Sequence, residues 1–138
     1  MDQTELPVSL PEKSPFTFRA RARSFVYAFW GIKALLWREH NAWLHLVAAV
    51  GAAGLGWFFG LSRAEWCLVA FAVGSVLAAE AFNTAIETLA DALEPGRNAK
   101  VGQAKDLAAG GVLLTSMAAA TVGLLIFGPK VAGWLWGR

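Results

Sequence analysis

Residues 66–91 read WCLVAFAVGSVLAAEAFNTAIETLAD, and this stretch decides the fold. Its first part, residues 66–79, carries no charge and is apolar enough to lie in lipid. The second part places Glu80, Asn83, Glu87 and Asp91 within about an 80° sector of a helix, since successive residues are rotated by about 100°. The stretch therefore predicts a membrane-spanning helix whose inner half carries polar residues on one face, which we call the polar stripe.

The whole chain has the composition of an integral membrane protein. It has 138 residues, of which 57% are hydrophobic and only 16% are charged, and its mean hydropathy is +0.48. Soluble domains carry about 25% charged residues. The formal net charge of +2 is too small to indicate a nucleic-acid partner. We expect one membrane domain over residues 16–138, preceded by a disordered tail over residues 1–15, where prolines stand among polar residues.

Hydropathy and turn residues predict an all-α integral membrane fold with three transmembrane helices and an N-terminal interfacial helix. Basic and aromatic residues are interleaved over residues 16–39, which is typical of an amphipathic helix in the membrane interface. The alternative for this segment is a basic soluble helix. Spans are expected near residues 44–61, 66–89 and 104–127. Polar connections are expected at residues 62–65 and 92–103, and Gly128-Pro129 is expected to end the third span.

The basic residues predict the orientation in the membrane. Most of them lie before the first span or in the second loop, namely Lys13, Arg19, Arg21, Arg23, Lys33, Arg38, Arg97, Lys100 and Lys105. Only Arg63, Lys130 and Arg138 lie on the other side. By the positive-inside rule, the N-terminus and the second loop are expected in the cytoplasm and the C-terminus outside.

Ionisable residues from three segments are predicted to meet at the cytoplasmic side: Glu39, the polar stripe, and the pair Lys105-Asp106. A charged side chain at the membrane centre costs about 2.5–3.5 kcal/mol on insertion scales, so the cluster is expected to have a function. Carboxylates can hold Mg²⁺ or accept a hydroxyl proton, and a lysine neutralises phosphate charge. The cluster therefore fits phosphoryl transfer to a lipid. The alternatives are a structural pairing of Glu80 with Lys105 and a small ion- or proton-conducting membrane protein.

Short motifs in this chain resemble those of a known family. They are Glu80-Ala-Phe-Asn83-Thr-Ala-Ile-Glu87, Ala104-Lys105-Asp106, Tyr27-Ala-Phe-Trp-Gly31-Ile-Lys33, and Glu39-His-Asn41 with His45. Together they resemble the patterns E-x-x-N-[ST]-A-I-E, A-K-D, Y-A-x-x-G-[IL]-[KR] and E-x-N-x-x-x-H of the small prokaryotic diacylglycerol kinase family, including its undecaprenol kinase branch. The resemblance extends over residues 18–127.

The resemblance implies ATP-dependent phosphorylation of a membrane lipid hydroxyl, with Mg²⁺ as cofactor and ATP as phosphate donor. It implies a homotrimer with active sites between subunits, in the inner (cytoplasmic) membrane of a bacterial cell. The acceptor expected first is diacylglycerol, giving phosphatidic acid, and the alternative is undecaprenol, giving undecaprenyl phosphate. Ala109 lies where the diacylglycerol kinase branch has serine, while Asn41 and His45 resemble the undecaprenol kinase branch. The lipid is therefore left open.

The resemblance also implies roles for particular residues. It implies Glu80 as the general base and Asn83 as the residue that positions the reacting groups. It implies Glu39 and Glu87 as Mg²⁺ ligands. The nucleotide-binding residues that it implies are Lys105, Asp106, Tyr27 and Gly31. Further candidates without an assigned role are Asp91, Asn98 and Arg23, of which Asn98 replaces a histidine common in the family. For Asp91 the alternative is an exposed carboxylate at a helix end that is only solvated.

Overall fold

The computed structural model describes residues 17–137, which form four α-helices. In chain order they are α1 (Phe18–Arg38), α2 (His40–Phe58), α3 (Arg63–Leu93) and α4 (Ala99–Leu135). Within residues 17–137 there is no strand, so the predicted all-α fold is confirmed. The tail predicted at residues 1–15 lies outside the described residues.

Helices α2, α3 and α4 are each long and apolar enough to cross a membrane. They contain 19, 31 and 37 residues, which at about 1.5 Å per residue gives lengths of roughly 28, 46 and 55 Å against about 30 Å of hydrocarbon. At most 22% of the most apolar window of any of them is buried. An apolar surface this large is stable against lipid or other subunits and not against water. The three-span fold is therefore confirmed, and α3 and α4 extend beyond the hydrocarbon.

Helix α1 is the predicted N-terminal helix. It begins after Thr17, whose Oγ1 accepts a hydrogen bond of 3.3 Å from the backbone N–H of Ala20. Most of its aromatic side chains are exposed, and the ammonium of Lys33 lies 5.5 and 5.6 Å from the ring centroids of Trp30 and Trp37. These are cation–π distances. A helix with exposed aromatic rings and cations suits the membrane interface, and that position stays a prediction.

The turn after α2 comes earlier than predicted. The helix ends at Phe58 and not at Leu61, because Gly60 adopts a φ of 63° that residues with a side chain rarely adopt. The N–H of Leu61 donates to the carbonyl of Gly56 at 3.0 Å, and the N–H of Gly60 donates to the carbonyl of Trp57 at 3.3 Å. These two hydrogen bonds form a Schellman motif, which satisfies the last carbonyls of the helix.

Helix α3 begins at Arg63, one turn before the predicted start at Trp66. Ser62 and Glu65 form a capping box, in which the N–H of Ser62 donates to Glu65 Oε2 at 2.7 Å and the N–H of Glu65 donates to Ser62 Oγ at 3.3 Å. The S-x-x-E spacing is a sequence signal for a helix start. The residues predicted as a connection are therefore the cap and first turn of α3.

Helix α4 is longer at both ends than the predicted span. It begins at Ala99 because Asn98 Oδ1 accepts a hydrogen bond of 3.0 Å from the N–H of Lys100. The expected end at Gly128-Pro129 is wrong, since the helix continues to Leu135 with Pro129 inside it. Proline removes one helical hydrogen bond, whereas ending the helix near lipid would leave several carbonyls unpaired. Lys130 Nζ also forms an ion pair of 3.1 Å with Glu65 Oε1, which holds this extension against α3.

Helices α3 and α4 run antiparallel across the short connection at residues 94–98, and α2 packs on both. A small core lies near the α2–α3 turn, where Leu61, Val69 and Ile126 are buried together. Gly56 is also buried there and faces the ring of Trp66. The far ends of α3 and α4 carry the polar residues, so core and candidate site lie at opposite ends of the bundle.

We expect Gly56→Ala to lower the free energy of unfolding by about 1–3 kcal/mol, the usual cost of overpacking. A Cβ atom at this position would lie 2.8 Å from Trp66 Cη2 and 3.0 Å from Cζ2, so the Trp66 ring or one of the two helices must shift. The control is Gly54→Ala on the same helix, where a Cβ would meet no heavy atom within 4 Å. Denaturant titration in detergent micelles measures the free energy of unfolding of both variants. Equal stabilities would mean that the Trp66 ring turns away without cost.

Candidate active site

A polar cavity of about 290 Å³ lies between α2, α3 and α4. We call it the Glu80 cavity, and its walls are formed by Asn41, Leu44, His45, Glu80, Asn83, Ala109, Val112, Leu113 and Ser116. Each of the three helices contributes at least one polar side chain to it. A cavity with few, convergent polar groups in an apolar wall is the usual form of a small-molecule site.

Glu80 is the most deeply buried polar residue of the described chain, with 1% of its surface exposed. Its Oε2 has no hydrogen-bond partner within residues 17–137. The side chain of Asn41 lies beside the carboxylate, and His45, Glu39 and Glu87 are within electrostatic reach. A buried carboxylate without full pairing costs free energy, so its presence indicates a function that needs a free acceptor.

The depth of Glu80 follows from its position on α3. It lies 15 residues after Glu65, which is about 22 Å along the helix axis, within a hydrocarbon layer of about 30 Å. Glu87 lies seven residues further along, which is about 10 Å closer to the membrane surface at the α3–α4 connection. The polar stripe therefore runs from the membrane interior to its surface.

Asn83 and Glu87 form one unit on α3. Asn83 Nδ2 donates a hydrogen bond of 3.0 Å to Glu87 Oε1, across one helical turn. Asn83 is buried, and its Oδ1 has no partner among the described residues. The hydrogen bond fixes the direction of the Glu87 carboxylate and leaves an amide oxygen beside it to accept from or coordinate a ligand.

Glu39 lies at the break between α1 and α2, where its φ of −107° and ψ of 114° interrupt the helix. Its N–H donates to the carbonyl of Leu35 at 3.1 Å, and its side chain makes no capping hydrogen bond to α2. The half-buried carboxylate is therefore not used for capping. It remains near Glu80, which agrees with the predicted meeting of these two segments.

The oxygen atoms of this site fit Mg²⁺ that is shared with phosphates. Glu80 Oε2, Asn83 Oδ1 and Ser116 Oγ belong to residues of the cavity wall and are buried and unpartnered, as is Thr84 Oγ1 outside that wall, and such orphaned oxygens are explained by a bound water, ion or ligand. In the described part of the chain, no group of three or more His, Cys, Asp or Glu side chains could hold a metal alone. Mg²⁺ needs only one or two carboxylates when phosphates and water complete its shell.

Lys105 forms an ion pair with Asp91 and not with Glu80. The structural pairing of Glu80 with Lys105 is therefore wrong, because Glu80 lies 11 residues before Asp91, or about 16 Å along α3. Asp91 is an exposed carboxylate near the end of α3, with 67% of its side chain accessible, and it also forms this ion pair. Lys105 and Asp91 instead mark a second polar region near the α3–α4 connection.

This second region is a cavity of about 530 Å³, which we call the loop cavity. Its lining includes Asp91, Arg97, Asn98 and Lys105. Its ionisable lining residues are two cations, Arg97 and Lys105, and two carboxylates, Asp91 and Glu94. Arg97, Lys105 and the first turn of α4 are the groups here that could bind phosphate. Asn98 acts as a helix cap here, since its Oδ1 accepts from the N–H of Lys100.

The structure does not bring every candidate to these cavities. Tyr27, Gly31 and Arg23 lie exposed on α1, Asp106 lies exposed on α4, and none of them lines the Glu80 cavity or the loop cavity. Their roles stay predictions. Ser116 was missed by sequence reasoning, although it lies on one helix face with Ala109 and Leu113 and could have been found as a polar residue in an apolar span.

The fold and the site define an integral membrane protein with a buried carboxylate between its spanning helices. A family model described as prokaryotic diacylglycerol kinase matches residues 26–127. The chain is 35% identical over 109 residues to the undecaprenol kinase of Bacillus subtilis (strain 168), covering 79% of this chain and 89% of that relative. No solved structure gives a significant match. The chain belongs to the prokaryotic diacylglycerol kinase family and is a membrane lipid kinase that acts on an alcohol.

Proposed function

We propose that this kinase transfers the γ-phosphate of ATP to undecaprenol, giving undecaprenyl phosphate, in the inner membrane of a bacterial cell. The observation that carries the reaction type is the buried, unpartnered carboxylate of Glu80 in its cavity. Asn41, His45 and Ala109, which separate this sequence from the diacylglycerol kinase branch, all line that cavity. The named relative is an undecaprenol kinase. Diacylglycerol, which the sequence put first, becomes the second candidate and is supported by the description of the family model.

In the proposed reaction the lipid hydroxyl lies in the Glu80 cavity. Its oxygen forms a bond to the γ-phosphorus while the bond from that phosphorus to the bridging oxygen of ADP breaks, and Glu80 accepts the hydroxyl proton. Asn83 holds Glu87 through the 3.0 Å hydrogen bond and keeps that carboxylate in one direction. Mg²⁺ held by Glu39 and Glu87 would neutralise the charge of the phosphates.

The nucleotide phosphates are proposed to lie at the Lys105 end of the polar stripe. Lys105, Arg97 and the first turn of α4 are the phosphate-binding groups proposed at this end, where Asp91 and Glu94 also line the loop cavity. The stripe from Glu80 to Asp91 is about 16 Å long, since the residues are 11 apart on one helix. This length allows the lipid hydroxyl and the nucleotide to approach from opposite ends, with Glu87 between them.

A homotrimer with sites between subunits is part of the proposal. In one chain, Tyr27, Gly31 and Asp106 do not line either cavity, so a neighbouring copy is the proposed means of completing the nucleotide site. The N-terminus and the α3–α4 connection are proposed to be cytoplasmic, because the basic residues are concentrated there. No nucleic-acid partner is proposed.

Ion conduction has no comparable support. A conduction path needs polar groups along the whole span. In residues 66–79 of α3 the one hydroxyl side chain is Ser75, which donates to the carbonyl of Phe71 at 2.8 Å within its own helix. A single hydroxyl oxygen does not form a continuous path for a cation or a proton.

The test is a transfer assay with the purified protein in lipid and radiolabelled ATP. Undecaprenol and diacylglycerol are supplied side by side, each with Mg²⁺ and with a chelator. We expect faster labelling of undecaprenyl phosphate than of phosphatidic acid, and loss of both without Mg²⁺. Labelling of phosphatidic acid alone would show that diacylglycerol, the second candidate, is the acceptor. Labelling of neither lipid would contradict the proposed function.

A further inference from the structure

A second cavity, of about 230 Å³, lies between the same three helices on the side of the Glu80 cavity away from the α3–α4 connection. Its wall is almost entirely apolar and consists mostly of small side chains. It includes Ala49 and Ala52 from α2, Val69 and Val73 from α3, and Ala119 from α4. We call it the apolar cavity.

The two cavities adjoin each other. His45 and Ser116 line both of them, so they mark the boundary between the polar and the apolar part. On α2 the combined lining runs from Asn41 to Ala52, and on α3 it runs from Asn83 to Val69. The ends of these stretches are 11 and 14 residues apart, or about 16 and 21 Å, at least half of the hydrocarbon thickness of about 30 Å.

We infer that the apolar cavity holds the first part of the isoprenoid tail of a polyprenol whose hydroxyl lies at Glu80, an inference that rests on the proposed function. Glu80 is 99% buried and its Oε2 is unpartnered, which calls for a hydroxyl donor inside the bundle. The tail of such a lipid has two ways out of the Glu80 cavity, one past the exposed side chains of Leu44 and Leu113 and one between the helices, and the apolar cavity lies on the second. The apolar cavity shares lining residues with that position and has the matching apolar character.

A single tail fits this path better than two. In a polyprenol the hydroxyl terminates one unbranched run of isoprene units, so the tail continues in line from Glu80 towards Val69. In diacylglycerol two acyl chains leave the glycerol close to the hydroxyl, and a second chain would need another way out of the Glu80 cavity. The apolar cavity is therefore a determinant of which lipid alcohol is accepted.

Filling the apolar cavity tests this inference. We expect Ala49→Leu to lower kcat/KM for undecaprenol at least about tenfold, the usual effect of a misfit in an apolar pocket. Geraniol is the comparison substrate, since Ala49 lies eight residues from Asn41, which is beside Glu80, or about 12 Å along α2, beyond the reach of its short tail. Its kcat/KM is expected to stay within about twofold, which also shows that the variant is folded.

The matched control is Ala53→Leu, the same change on the same helix, which is exposed and does not line the apolar cavity. A second pair tests the opposite wall, with Ala119→Leu on the cavity and Ala118→Leu exposed beside it. Ala119 lies three residues from Ser116, which lines both cavities, or about 4.5 Å along α4, so Ala119→Leu should lower kcat/KM for undecaprenol and for geraniol. Both controls should behave like the unmodified protein.

Several results would overturn the inference. Equal losses with undecaprenol and geraniol in Ala49→Leu, or no loss with undecaprenol in this variant, would show that the tail does not occupy this cavity. A matching loss with diacylglycerol would replace the isoprenoid tail by an acyl chain. A changed oligomeric state with equal loss on both alcohols would assign the cavity to subunit packing. Failure of the unmodified protein to phosphorylate any lipid alcohol would instead contradict the proposed function.

Discussion

Glu80→Gln is expected to lower kcat by about 100- to 10,000-fold, the range that a general base contributes. The amide has nearly the shape of the carboxylate but cannot accept the hydroxyl proton. The KM for ATP should change little, because Glu80 lies about 16 Å along α3 from the Asp91 and Lys105 end of the stripe. Initial rates at saturating lipid and varied ATP measure both quantities.

The stability of the same variant separates a catalytic from a structural role. We expect the free energy of unfolding to stay the same or to rise, since a buried neutral amide costs less than a buried, incompletely paired carboxylate. The control is Glu65→Gln, a change 15 residues away on the same helix. This control variant should keep the kinase activity of the unmodified protein. Normal turnover in Glu80→Gln would exclude Glu80 as the base. Lost activity together with clear destabilisation would indicate a structural carboxylate.

Lys105→Met is expected to lower kcat/KM for ATP by roughly 10- to 100-fold, since a hydrogen bond to a charged group contributes about 1.5–3 kcal/mol. The methionine keeps much of the side-chain length and removes the charge that would face the phosphates. Stability should change by less than about 1 kcal/mol, because the ion pair with Asp91 is largely exposed. ATP titrations of initial rate, together with denaturant unfolding, measure the two effects.

Lys100→Met is the matched control for Lys105. Lys100 lies in the first turn of the same helix, is exposed and does not line the loop cavity. A similar loss in both variants would mean that only the general positive charge near the membrane surface matters. Asp91→Asn adds a second comparison: it frees Lys105 from its ion pair, and we expect it to affect kcat/KM for ATP less than Lys105→Met does.

The spans were predictable because each is set by local hydropathy, which acts whatever the neighbours are. Their ends were less predictable. The ends at Phe58, Arg63 and Ala99 follow from hydrogen bonds around Gly60, Ser62 and Asn98, and these are local signals that could have been recognised. The continuation of α4 past Pro129 is different, since Lys130 contacts Glu65 on another helix. The residues around Pro129 in the sequence give no indication of this contact with Glu65.

In the candidate site, too, some features were predictable from local sequence and others depended on contacts between helices. Helical periodicity alone placed Glu80, Asn83 and Glu87 on one face, and α3 does carry them with a hydrogen bond between the last two. Periodicity could not assign a partner to Lys105, because that depends on where α4 meets α3, and the observed partner is Asp91. Periodicity also could not show that Ser116 belongs to the site. Ser116 lines the site because three helices enclose two adjoining cavities, and this depends on how the helices pack.

The sequence by itself determined that this chain spans a membrane three times and that one span carries a polar stripe, because apolar length and helical rotation are properties of the segment alone. It also carried the motifs of its family. Only the tertiary structure decided that Glu80 is fully buried with an unpartnered oxygen, that Lys105 pairs with Asp91, and that an apolar cavity adjoins the polar one. These facts depend on how α2, α3 and α4 pack, and packing brings together residues that are far apart in the chain.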